Sequence, residues 1–136
     1  MSVNGAAVKG GSPGRYLPVM RDWRTDDLLE LDFGMACRLI PAPKGSNRAG
    51  DAFCALRYGP MVLARDEKAD THFADPVEIL ARADGMVDVT PLPSAPDNPD
   101  RLEFLVPTTK GNIRMCDYAS VDCWDGGRVM TWLPLP

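Results

Sequence analysis

Histidine is almost absent from the chain. His72 is the single example among 136 residues, so any Ser-His-Asp or Cys-His nucleophile system would have to use it. It lies in the polar segment 70–75, and a lone histidine in such a connection is more often solvated than catalytic. The sequence therefore predicts no catalytic role for His72.

Long apolar runs and clusters of basic residues are also missing. No stretch approaches the roughly 18 apolar residues of a membrane span, and residues 1–10 lack the charged-then-apolar pattern of a secretory signal. The 15 Lys and Arg residues are scattered through a chain of net charge -4, whereas a nucleic-acid partner requires them clustered. We therefore expect neither a nucleic acid nor a membrane as partner, and a cytoplasmic location for the chain as written.

The cysteines lack the spacing of a zinc site. Cys37, Cys54, Cys116 and Cys123 are separated by 17, 62 and 7 residues, with no Cys-x-x-Cys pair and no neighbouring histidine. The first three lie in strand-like runs, where cysteine commonly behaves as a small buried hydrophobe. The pattern predicts free core thiols, no metal and no cofactor, with a disulfide as the alternative if the parent protein is secreted.

Apolar residues make up 45% of the chain, enough to fill the core of one domain spanning residues 1–136. The densest run, residues 52–64, is broken once by Gly59 and Pro60. Proline has no N–H to donate to a neighbouring strand, and glycine tolerates unusual backbone angles, so this pair marks a bend between two strands. The central feature predicted from the sequence is therefore a pair of core strands.

Further short strands are predicted on both sides of this pair. Residues 16–21 are typical of an edge strand, and Leu29, Leu31 and Phe33 alternate with acidic residues, which predicts one face in the core. Strands are also expected at residues 35–40, 86–90, 102–106, 113–116 and 129–133. A capping-box-like start and a following glycine predict one short helix at residues 76–83. The predicted fold class is an all-β antiparallel β-sandwich, jelly-roll-like, with at most one short helix.

The chain opens with a turn signal that has little strand in front of it. Asn4-Gly5 favours a type I′ hairpin turn, yet only three residues precede this pair. The strand that would pair with Ala7 and Val8 is then nearly absent. We therefore expect the domain to lack one or more N-terminal strands.

Several segments together resemble one enzyme family. They are Val3-Asn4-Gly5, Tyr16 with Arg21-Asp22-Trp23, residues 26–35 and above all Arg57-Tyr58-Gly59-Pro60-Met61-Val62-Leu63-Ala64, with weaker similarity at residues 117–120 and 132–134. This order resembles the region downstream of the catalytic barrel in the β-L-arabinofuranosidases, glycoside hydrolase family 127. The resemblance implies a β-sandwich packed behind an (α/α)6 barrel that carries the catalytic residues and the zinc ligands. It thus implies a non-catalytic accessory domain of a glycoside hydrolase, whose partner is that barrel.

Exposed aromatic residues suggest an alternative function. The apolar face of a sugar stacks on an aromatic ring, and Trp124, Tyr118 and Trp23 are the candidates for contacting a plant-type glycan. Trp132, inside a terminal strand, is expected in the core or at a domain interface. A carbohydrate-binding module is therefore the second hypothesis and an independent enzyme the third.

Other polar residues are assigned structural roles. Arg57, Gly59 and Pro60 form a predicted structural motif in which Arg57 satisfies carbonyls or a carboxylate near the bend. Glu30 and Asp32 share a strand face, as a glycosidase carboxylate pair would require, but a solvated face is the favoured interpretation.

Asp117, which adjoins an apolar run, is expected to be a hydrogen-bonded structural acid. An exposed strand edge and apolar patch also predict a homodimer or a marginally stable domain, with Leu17, Val19, Met130 and Trp132 as the contact surface.

Overall fold

The computed structural model of the chain describes residues 1–43, 45, 52–94, 96, 98–121 and 127–136. The backbone divides into two compact units, Met1–Gly34 and Met35–Pro136. The fold is all-β and its strands pair antiparallel, which confirms the predicted fold class. The large sheet of the second unit curls into a half-barrel in a sandwich-like fold. That residues 1–136 form one domain stays a prediction.

The first unit contains a small three-stranded sheet. Its strands are β1 (Ser2–Val3), β2 (Ala6–Ala7) and β3 (Leu29–Glu30), with β1 in the middle. Asn4 and Gly5 have φ values of 50° and 76°, the left-handed angles that a type I′ hairpin turn requires. Ser2 lies opposite Ala7, and the Val8 N–H donates to the Met1 carbonyl at 3.2 Å. The pairing strand that was expected to be nearly absent is therefore present as the two-residue strand β1.

The rest of this unit is irregular and leaves its apolar side chains exposed. No strand forms at residues 16–21, where Pro18 cannot donate to a ladder and Tyr16 and Met20 are almost fully exposed. Leu29, Leu31 and Phe33 are exposed as well, so the prediction that they face a core is wrong. Alternation in sequence places side chains on one face, but here that face is not covered within the unit.

The second unit is built on one nine-stranded antiparallel sheet. Its strands are β4 (Cys37–Pro41), β5 (Phe53–Tyr58), β6 (Met61–Asp66), β7 (Met86–Val87), β8 (Thr90–Pro91), β9 (Glu103–Thr108), β10 (Gly111–Asp117), β11 (Val129–Met130) and β12 (Leu133–Pro134). The order is β7-β4-β5-β6-β10-β9-β8, with β11 on β6 and β12 on β5. The predicted strands of this half are thus present, although several are shorter.

The hairpin of β5 and β6 lies at the centre of the sheet, as predicted. Gly59 has a φ of 56°, an angle that a residue with a side chain adopts only with strain, and Pro60 completes the turn. Across it, Arg57 faces Val62 and Tyr58 faces Met61. This register fixes which residues of both strands point towards the core.

The core fills the inner face of this sheet. Leu56, Leu63, Val106 and Leu133 are fully buried, and Met115 is nearly so. Each side chain of this size contributes about 1.5–3 kcal/mol when it is removed from water. The core thus joins the central hairpin to β9, β10 and the C-terminal strand β12.

The helix predicted at residues 76–83 does not form, and this segment is extended. Val77 and Ile79 are buried while Glu78 and Leu80 are exposed, a period of two that suits a strand and not a helix. The Val77 N–H donates to Pro134 O, and the Leu80 N–H donates to Pro107 O. Tertiary hydrogen bonds and β-branched side chains therefore outweigh the capping signal.

The only helical turn in the described residues is 3-10 helix η1 (Tyr118–Ser120). No helix in this part of the chain has the length and apolar character needed to cross a membrane.

Three of the four cysteines belong to the buried interior. Cys37, Cys54 and Cys116 are buried free thiols, and burial raises the pKa of each thiol from 9.0 to about 11. Cys123 lies outside the described residues. The prediction of free core thiols is therefore confirmed for the three described cysteines.

The raised pKa values predict that these thiols react slowly in the folded protein. In a Cys123→Ser background at pH 8, the two-unit shift should lower the thiolate fraction, and with it the rate of disulfide exchange with an aromatic disulfide reagent, about a hundredfold relative to the denatured chain. Because the folded-state pKa is raised, the associated stability is present below pH 9 and is lost as the pH rises towards 11. Rapid stoichiometric labelling of the folded protein at pH 8 would contradict this prediction.

Candidate functional site

A largely apolar groove lies on the outer face of the central strands in the second unit. Its volume is about 480 Å³, within the range of about 300–1,000 Å³ usual for small-ligand sites. The residues that line it come from β4, β5, β6, η1 and the segment before β12. They are Ile40, Ala55, Leu56, Arg57, Val62, Tyr118, Thr131 and Trp132.

Strand alternation creates this groove. Successive residues of a strand point to opposite faces, so Ala55 and Arg57 face the groove while Cys54 and Leu56 enter the core. Ile40 lies opposite Ala55 on the neighbouring strand. Because Ala55 has only a methyl group and is itself buried, it forms a floor between larger side chains.

Two aromatic residues line the groove and remain open to solvent. Trp132 is 43% exposed and Tyr118 is 59% exposed. Trp132 directly precedes Leu133, which is fully buried and lies opposite Cys54. The buried leucine therefore fixes the backbone that presents the exposed indole.

Asp117 holds the turn that carries Tyr118. Its side chain caps η1, accepting hydrogen bonds from the Ser120 N–H at 3.0 Å and the Ser120 hydroxyl at 2.9 Å. Its other oxygen accepts the Leu102 N–H at 3.0 Å. Asp117 is 5% exposed, so this carboxyl is a hydrogen-bonded structural acid, as expected from the sequence.

Arg57 presents a cation at the groove. Its side chain is exposed and makes no hydrogen bond or ion pair with any residue in the described part of the chain. It lies directly opposite Arg38 in the β4–β5 register. The expected contacts with carbonyls or a carboxylate near the bend are therefore not formed, although Gly59 and Pro60 do make the turn.

The arginine that does organise a loop is Arg65, which the sequence analysis missed. It is fully buried; its Nε donates to Asp70 Oδ2 at 2.8 Å, and its Nη1 donates to the Asp75 carbonyl at 2.9 Å. Its Nη2 donates to the His72 carbonyl. A charged residue at the end of an apolar run, followed by acidic residues within ten positions, is the signal that could have identified it.

A second and more polar cleft lies beside this loop. Its volume is about 540 Å³, and His72, Asp75, Glu78, Lys110 and Arg114 are among the residues that line it. His72 Nδ1 is 3.1 Å from Asp75 Oδ2, and both side chains are largely exposed. The lining described here includes no Ser or Cys, so it provides His72 with no such nucleophile.

The remaining sequence candidates lie elsewhere. Trp23, in the first unit, is 52% exposed, and the Arg21 guanidinium lies 5.2 Å from its ring centroid. Trp124 lies outside the described residues. Glu30 accepts a hydrogen bond from the Ser2 hydroxyl at 2.9 Å, and Glu30 and Asp32 line a shallow surface depression.

No group of three or more His, Cys, Asp or Glu residues capable of holding a metal ion occurs in the ranges that the structure describes.

Of the aromatic candidates that the structure describes, Tyr118 alone lines the groove. Trp132 is 43% exposed and so is not a core residue, and its alternative place at a domain interface stays a prediction. Trp132 was expected in the core or at an interface because it lies in a terminal strand segment. Its neighbour Leu133 takes the core position, and adjacent strand residues point to opposite faces. The Trp-Leu pair was the available signal, since only one of the two could face inward.

Arg65 and Arg57 form a matched pair for testing these assignments. Arg65→Ala should lower the free energy of unfolding by about 3–5 kcal/mol, because it leaves the partly buried Asp70 carboxylate and two backbone carbonyls without their donor. Arg57→Ala should change it by less than about 0.5 kcal/mol, since the side chain is exposed and unpaired. Chemical denaturation of both variants measures the difference, and equal losses would contradict the assignment.

Comparison with known proteins gives no match to a family model, to a curated protein or to a solved structure. The resemblance to β-L-arabinofuranosidases therefore stays a hypothesis that rests on the residues quoted for it.

Proposed function

We propose that this chain is a non-catalytic accessory β domain that contacts carbohydrate through its groove. The observation that supports this proposal best is the pair of exposed aromatic side chains, Tyr118 and Trp132, lining one concave surface. The C–H groups on one face of a sugar ring pack well against an aromatic face, while the ring hydroxyls remain available for hydrogen bonding. In this proposal both rings contact the sugar and the Thr131 hydroxyl adds a hydrogen bond.

The groove favours binding over hydrolysis. Most glycosidases require two carboxyl groups on either side of the scissile bond, about 5–10 Å apart. The groove lining in the described part of the chain contains neither Asp nor Glu. In the context of the sequence resemblance, the catalytic residues would belong to a glycoside hydrolase barrel, and this domain would hold a plant-type glycan near it.

A second candidate function is packing against that (α/α)6 barrel, and the first unit provides the observation that favours it. Leu28, Leu31 and Phe33 are each more than half exposed within a span of six residues. Apolar side chains clustered in this way commonly mark a protein interface. Both candidates describe an accessory domain, and they use different units of the chain.

The carbohydrate proposal predicts that the groove aromatics are needed for binding. Affinity electrophoresis through gels containing soluble arabinan, arabinogalactan or pectin should retard the wild-type chain. The Tyr118→Ala/Trp132→Ala double variant should bind at least about tenfold more weakly, because each ring contributes about 0.5–1.5 kcal/mol beyond its buried area. Trp23→Ala removes another exposed indole, which does not line the groove, and should leave retardation unchanged. Unretarded wild-type protein, or equal losses in both variants, would refute the proposal.

The packing candidate predicts that the first unit mediates association. The wild-type chain should copurify with the (α/α)6 barrel of a β-L-arabinofuranosidase-like protein. The double variant Leu31→Ser/Phe33→Ser should abolish copurification because both substitutions remove apolar contact area. Tyr16→Ser is the control for an exposed aromatic of the same unit. Light scattering on the chain alone separates this result from homodimer formation. A wild-type chain that does not copurify with the barrel would rule out this candidate, whether or not the chain self-associates.

A further inference from the structure

The groove carries a positive charge that the protein leaves without a partner. Arg57 and Arg38 lie opposite each other on neighbouring strands, an arrangement in which like charges repel. Arg38 Nη1 is 3.3 Å from the Asp84 carbonyl, whereas Arg57 has no polar partner among the described residues. Among the described residues, six other arginines form ion pairs with carboxylates: Arg21, Arg65, Arg82, Arg101, Arg114 and Arg128.

We propose that the groove binds a sugar residue that carries a carboxylate, as in the uronic acids of acidic polysaccharides; this inference rests on the carbohydrate function proposed above. Trp132 and Tyr118 contact the ring, and Arg57 binds the carboxylate. A guanidinium can donate two parallel hydrogen bonds to a carboxylate, which gives this pair both strength and orientation. Arg38 adds a second positive charge nearby.

Charge complementarity distinguishes this ligand from other occupants. The chain as a whole has a net charge of -4, so an acidic ligand would be repelled unless the site itself supplied local positive charge. Arg57 and Arg38 provide that charge, and no carboxylate of the described groove lining competes for it. A neutral sugar or an apolar peptide would leave the guanidinium without a counter-charge in the bound state.

The test uses two ligands with the same sugar backbone, trigalacturonate and its fully methyl-esterified form, in which each carboxylate is an uncharged methyl ester. Isothermal titration at low ionic strength should show that the wild-type chain binds the acid at least tenfold more tightly than the ester. Arg57→Met should remove this preference by weakening acid binding alone, and Arg57→Lys should restore part of it. Arg15→Met, an exposed arginine of the first unit, should change neither affinity. Unchanged thermal unfolding of Arg57→Met confirms that the fold is intact.

The outcomes separate this inference from the proposed function. Equal affinity for acid and ester, lost for both in Trp132→Ala, would overturn the carboxylate inference and leave carbohydrate binding standing. A preference for the acid that persists in Arg57→Met would overturn the role of Arg57. If neither ligand binds while a protein partner is retained through the groove, both the inference and the carbohydrate proposal are wrong.

Discussion

The register of the β5–β6 hairpin is the constraint on which the second unit depends. With Arg57 opposite Val62, every side chain of the two strands is assigned to one face of the sheet. Leu56 and Leu63 then enter the core, while Ala55 and Arg57 face the groove. A slip of one residue would place the arginine in the core and the leucine in water. The turn at Gly59 and Pro60 therefore positions both the core and the candidate site.

Some charged side chains of the second unit are paired within the fold and stabilise it, whereas Arg57, to which we assign a binding role, is not paired. In and beside the sheet, Arg101 joins Asp66 and Glu103, and Arg114 also binds Glu103. These groups are largely compensated within the fold, as burial of charge requires. Arg57 lies on the same sheet without such compensation. A cation that the fold does not neutralise is available to a ligand, and the aromatic rings beside it supply apolar contact.

Much of the second unit could be predicted from the sequence because its central strands are long, apolar and separated by clear turn signals. The hairpin around Gly59 and the strand containing Phe104 and Val106 are examples. The extended structure of residues 76–83 could not be predicted, because their local capping signal competes with hydrogen bonds to Pro107 and Pro134, which are distant in sequence. The prediction for the first unit was wrong for a related reason. The alternation of Leu29, Leu31 and Phe33 predicts that they share a face but not whether anything covers that face. Tyr118 was identified as a candidate from residue type alone. The exposure of Trp132, and the difference in burial and pairing between Arg57 and Arg65, could be assigned only once the sheet register was known.

An NMR titration of the isotopically labelled chain with an oligogalacturonate tests directly whether the outer face of the β5–β6 sheet binds an acidic sugar. We expect chemical-shift changes at the Trp132 indole N–H and at the Ala55 and Thr131 amides, with the Trp23 indole unaffected. Changes confined to the first unit or to the cleft around His72, or no changes at millimolar ligand, would contradict it.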